Sequence, residues 1–117
     1  MLYVAESGAP GASKPRQYIR RFQVSADGRS LSGGEMYHKI SCGWADGFRV
    51  DEQGNLWCGA ADGVHVVAPD GTLLGKVLVP RRVSNLCFGD RHHCRLFLCA
   101  STALYSLFTN TRGAQTP

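Results

Sequence analysis

The chain has 117 residues, a formal net charge of +4, 44% apolar residues and 14 glycines. That composition excludes a disordered or fibrous chain, and the length predicts one compact unit. No run reaches the roughly 18 consecutive apolar residues of a membrane-spanning helix. The start, MLYVAESGAP, lacks a basic segment followed by a long apolar one, so no signal peptide is expected.

No segment shows a helical period. Short β-rich runs alternate instead with turn signals. In chain order, strands are predicted near Leu2–Ala5, Gln17–Val24, Glu35–Ile40, Gly47–Asp51, Asn55–Gly59, Val64–Ala68, Thr72–Val79, Asn85–Phe88, Arg95–Ala100 and Leu104–Phe108. The separators SADG, DEQG, AADG, APDG and GDRHH each hold Gly or Asp, which accept positive φ or cap a turn with a side-chain oxygen. GAPGASKP reads as a longer polar loop. Short strands with turns at this spacing predict an antiparallel all-β fold.

An internal repeat narrows the architecture. RVDEQGNLWCGAADGVHVV matches LCFGDRHHCRLFLCASTALYSL in pattern, with Val50, Trp57 and Val66 aligned on Phe88, Phe97 and Tyr105. A period of about 40 residues with four strands in each is the signature of β-propeller blades. Blades are expected at 1–40, 46–79 and 84–108, the first without its innermost strand and the last with three strands. That makes about two and a half blades of a larger ring, beginning one strand late. Open blade edges predict self-association through strand pairing.

Five cysteines without a CxxC pair predict free thiols and a reducing, cytoplasmic location. Cys58, Cys87 and Cys99 fall inside apolar runs and are expected to pack as small hydrophobes. His92, His93 and Cys94 hint at metal, but no second ligand pair lies at zinc spacing. The basic residues sit at turns and strand ends rather than on one aromatic-rich face, so neither nucleic acid nor a membrane is expected as a partner.

The chemistry-bearing candidate is Asp46. Asp51 and Asp70 read as turn residues, and Asp46 precedes Gly47 at the mouth of a strand without so plain a local role. A structural alternative is an Asx-turn capping that strand. His38 and His65 read as strand residues rather than ligands, and Trp57 as packing between blades. No GxSxG motif, Ser/His/Asp order or phosphate-binding loop is present.

ADGFRVDEQGNLW, DGVHVVAPDGTLLGKVLVP, VSNLCFG and RLFLCASTALYSL, in that order, resemble consecutive motifs of the SMP-30/gluconolactonase/LRE-like family. LYVAES resembles that family's LYVAD-type strand, with Glu6 in place of its Asp. The resemblance implies a six-bladed β-propeller with one divalent metal, usually calcium, in its central tunnel. It implies that Asp46, matching the Asp of the ADGM motif, is a metal ligand and candidate general base. Asn85 would face the tunnel as a substrate contact, and Trp44 would wall the pocket. The family's Glu ligand and a key Asn would precede Met1. The expectation is therefore a C-terminal fragment of a calcium-dependent hydrolase acting on a sugar lactone or similar ester, inactive when isolated. A non-catalytic propeller remnant or protein-interaction module is the alternative.

Overall fold

The computed structural model describes residues 1–8 and 16–114. Most of the GAPGASKP loop lies outside them. Ten strands form three antiparallel sheets, and there is no helix among the described residues. The first sheet holds β1 (Leu2–Glu6), β2 (Tyr18–Val24) and β3 (Leu31–Lys39). The central sheet holds β4 (Phe48–Val50), β5 (Leu56–Ala60), β6 (Gly63–Val67) and β7 (Leu73–Leu78). The third holds β8 (Asn85–Gly89), β9 (Arg95–Ala100) and β10 (Ala103–Phe108). Each sheet is a meander, with neighbours in sequence paired in space. All ten predicted strands are present.

β3 is the main difference in extent, starting at Leu31 rather than Glu35. Gly33 and Gly34 lie within β3 at φ of 85° and 86°. The register of β2 against β3 shifts between Arg21 and Phe22, opposite this pair. Glycine tolerates that left-handed backbone, so a β-bulge forms there.

Two apolar layers hold the sheets face to face. Ile19, Tyr37, Ile40, Leu56, Cys58 and Val67 fill the junction between the first and central sheets. Val64, Val83, Leu86, Leu96, Leu98 and Ala100 fill the junction between the central and third sheets, with Trp57 and Phe88 packed on them. The two aromatic rings meet edge to face, 5.6 Å between centroids and 83° apart. The expected role of Trp57 between sheets is the observed one.

Because side chains alternate across a strand, the central sheet buries both of its faces. Leu56 and Cys58 point one way, and Trp57 and Val64 the other. The third sheet has only one covered face. Tyr105 and Leu107 pack inward, while Leu104 and Phe108 stay 69% and 70% exposed. The same alternation corrects the cysteine expectation. Cys58 is buried, but Cys87 and Cys99 lie on the uncovered face of the third sheet and are exposed.

Candidate functional site

β4 runs between two polar ends that the sequence makes chemically different. At its C-terminal end Asp51 begins the turn to β5 and is 1% exposed. Its carboxylate accepts hydrogen bonds from Gln53 N, Asn55 N, Asn55 Nδ2 and Trp57 Nε1, at 2.8–3.0 Å. The turn also pins the end of the chain, since Glu52 N donates to Arg112 O and Ala114 N to Val50 O. Asp51 is therefore structural, as the turn pattern predicts. Asp70 likewise accepts from Thr72 N at 2.9 Å.

At the other end, Asp46 is exposed. Its backbone N–H donates to Gly59 O at 3.0 Å, and Gly47 N–H donates to Ser84 O at 2.9 Å. These bonds fix the backbone and leave the carboxylate unused. Among the described residues, the Asp46 carboxylate has no hydrogen-bond or ion-pair partner. The chain has nine acids, and each of the other eight has one. Glu6 meets Arg16 and Arg20, Glu35 meets Arg21, and Asp62 meets His65 and Lys76. Asp27, Asp51, Asp70 and Asp90 cap turns, and Glu52 accepts from Arg112 N. The Asx-turn alternative for Asp46 is not what forms.

Asn85, the first residue of β8, comes against the same spot. A Cβ placed on Gly47 would collide with the Asn85 amide, so only glycine lets the two connections approach. Asn85 is exposed, and its Oδ1 accepts from Leu86 N at 2.9 Å, leaving the amide N–H groups free among the described residues. Trp44 stands beside Asp46, 44% exposed, with the Arg82 guanidinium 5.4 Å from its ring centre. The fold thus brings Asn85, distant in sequence, to the Trp44–Asp46 segment at one end of the stacked sheets. Cys58 lies beneath, its thiol pushed up to about 12 by burial, against a hydrogen bond to the Asp46 backbone that opposes the rise and with the Asp46 charge adding a smaller push. Sequence reasoning missed Arg82, whose signal was its place in the connection before Asn85.

The remaining titratable groups lie elsewhere. His65 is fully buried, with Nε2 2.8 Å from Asp62 Oδ1. His38 packs edge to face on it, centroids 6.4 Å apart, and its Nδ1 lies 3.2 Å from Gly71 O. His92, His93, Glu52 and Arg112 border an open cavity of about 540 Å³ at the opposite, turn end of the strands. Among the described residues no three His, Cys, Asp or Glu side chains cluster to hold a metal.

Antiparallel sheets of three, four and three strands, stacked face to face with a repeated connection into β4 and β8, define a partial β-propeller. The sequence profile of the SMP-30/Gluconolactonase/LRE-like region matches residues 2–102, and the chain belongs to that family. It is 36% identical over 114 residues to a gluconolactonase of Zymomonas mobilis subsp. mobilis, covering 96% of this chain and 29% of that protein. A gluconolactonase structure from Xanthomonas campestris superposes with a TM-score of 0.76 at 30% identity, over 91% of this chain and 33% of that one. An X-ray structure of a protein named only provisionally as a gluconolactonase gives 0.77 at 40% identity, over 86% and 34%. A luciferin-regenerating enzyme shares the fold, at 0.75 and 20% identity. The chain spans about a third of the length of these relatives.

Proposed function

We propose that this chain carries the Asp46 portion of a metal-dependent hydrolase that opens a sugar lactone or similar ester, the activity that the names of its gluconolactonase relatives suggest. The observation that carries this reading is the unpartnered Asp46 carboxylate, held by backbone bonds at the meeting point of two connections. Eight acids serve the fold, and the ninth, fixed through its backbone, has no side-chain partner among the described residues.

Asp46 acts as general base, taking a proton from the water that attacks the lactone carbonyl. The free Asn85 amide N–H groups donate to substrate oxygens, and Trp44 forms a wall. Calcium bound there would polarise the carbonyl. Calcium takes roughly six to eight oxygens, and this chain offers one carboxylate and one amide. The described residues do not complete such a site, so the isolated chain is inactive and its remaining ligands come from outside them. The five free cysteines support a reducing, cytoplasmic setting. The uncovered faces at the two ends of the stack, with Met36, Leu104 and Phe108 exposed, support self-association when the piece is made alone.

The test is a chimera. The matching segment of the Zymomonas relative is replaced by this chain, and hydrolysis of glucono-δ-lactone is followed with calcium present. The chimera is expected to hydrolyse the lactone, and Asp46→Asn to reduce kcat by about 10²–10⁴, the usual contribution of a positioned base. A folded chimera whose activity ignores Asp46→Asn would overturn the assignment.

A further inference from the structure

The connections into β4 and β8 share one anchor. Asp46 N–H donates to Gly59 O, Gly59 N–H donates to Gly47 O at 2.9 Å, and Val83 N–H donates to Ala60 O at 3.0 Å. Consecutive residues at the end of β5 thus hold both connections. Ala45, 4% exposed, seats the first, and Val83, fully buried, seats the second. Val79 packs into the same layer as Val83, so Pro80, Arg81 and Arg82 form a short lip between two anchored valines. Trp44 and Arg82 stand on these fixed bases and meet each other.

Arg81 and Arg82 are exposed, and neither has an ion-pair partner among the described residues. An indole face attracts the guanidinium and limits its rotamers, while the in-plane N–H donors stay available. Those donors match a carboxylate in a two-point pair, a stronger contact than a neutral hydrogen bond. The Asn85 amide donors stand at the start of the strand that follows the lip. The lip therefore offers a cation, polar donors and little bulk.

We propose that Arg82, oriented by Trp44, is the binding residue for the carboxylate of a hydroxylated acid, and that the site beside Asp46 takes sugar-acid ligands in preference to neutral sugars. This rests on the lactone reading above: opening the ring ester creates the carboxylate, so Arg82 would hold the acid that the reaction releases. Arg82 is the binding group, and Trp44 is a positioning residue. Arg81, not stacked, adds general charge only.

The experiment uses the chain itself. It has two tryptophans, so a ¹⁵N-labelled sample gives two indole N–H signals. The Trp57 indole is bonded to Asp51 and serves as an internal reference. Titration with D-gluconate at low salt is expected to move the Trp44 signal and leave the Trp57 signal in place. D-glucose is expected to bind at least about tenfold more weakly, the scale of one charge-assisted contact. Arg82→Gln should abolish that preference, Arg82→Lys should restore part of it, and Arg81→Gln should change it less than threefold.

The proposal fails if the Trp44 signal does not respond, or if glucose matches gluconate. It also fails if Arg82→Gln leaves the ratio intact, or if inorganic phosphate at equal ionic strength matches gluconate, which would mark a general anion patch. The lactonase reading stands or falls separately. An active chimera with no gluconate preference here removes only the subsite. An inactive chimera with the preference intact removes only the lactonase reading.

Discussion

The two ends of β4 carry acids five positions apart that serve opposite ends. Asp51 is buried and saturated, with four donors from its own turn and from Trp57. Asp46 is exposed, and its backbone is tied while its carboxylate has no partner among the described residues. A carboxylate used by the fold is surrounded by donors from its own neighbourhood. One kept for a ligand is held through its backbone instead, so its charge remains available. The contrast is sharper than exposure alone, because the chain's other exposed acids still find partners.

If this contrast is right, the largest effect comes from Asp51→Ala. It leaves two backbone N–H groups and the Trp57 indole without their acceptor, and should cost about 3 kcal/mol, read as a fall in the urea midpoint of unfolding. Gly59→Ala comes next. A Cβ there would sit 2.6 Å from Val83 O, a backbone atom that cannot swing away. The expected loss is about 1–3 kcal/mol, with the indole signal of Trp44 displaced because both connections rest on this strand end. An unchanged Trp44 signal would break the idea of a shared anchor.

A smaller, pH-dependent effect belongs to the His38 pair. Burial is the main cause that lowers His38 from its ordinary 6.5, and the nearby His65 and Lys76 add to it. The acceptor Gly71 O opposes the shift. The folded state therefore prefers the neutral ring. The unfolded chain takes up the proton first, so stability falls as pH drops below about 6.5 toward the lowered folded value. His38→Gln should flatten that slope in denaturation curves between pH 7 and 5, whereas an unchanged slope would assign it to other groups.

The smallest effect on stability is that of Asp46→Asn, within about 0.5 kcal/mol of the parent. The same substitution is expected to lower kcat in the chimera by about 10²–10⁴, and this pairing of neutral stability with lost function is the sharpest form of the comparison. A destabilisation as large as that of Asp51→Ala would place Asp46 among the structural acids.

Much of the fold was legible because turn chemistry and two-residue alternation are local. The existence of ten strands followed from where Gly and Asp interrupt β-branched and aromatic runs. Trp57, read as packing between blades, does lie between the central and third sheets. What misled was local too. The third strand was expected to begin at Glu35, but β2 pairs with it from Leu31. Cys87 and Cys99 sit in apolar runs, but which face of a sheet is covered depends on a neighbouring sheet.

The sequence by itself determined the strands, their order and the singularity of Asp46, because these depend on residues close in the chain. Only the tertiary structure decided that Asp46 has no partner among the described residues, that Asn85 closes on Gly47, and that Arg82 rests on Trp44. Those contacts join connections some forty residues apart. They exist because Gly59 and Ala60 bind both connections through backbone hydrogen bonds, which any residue with an N–H and a C=O can make and which therefore leave little trace in side-chain pattern.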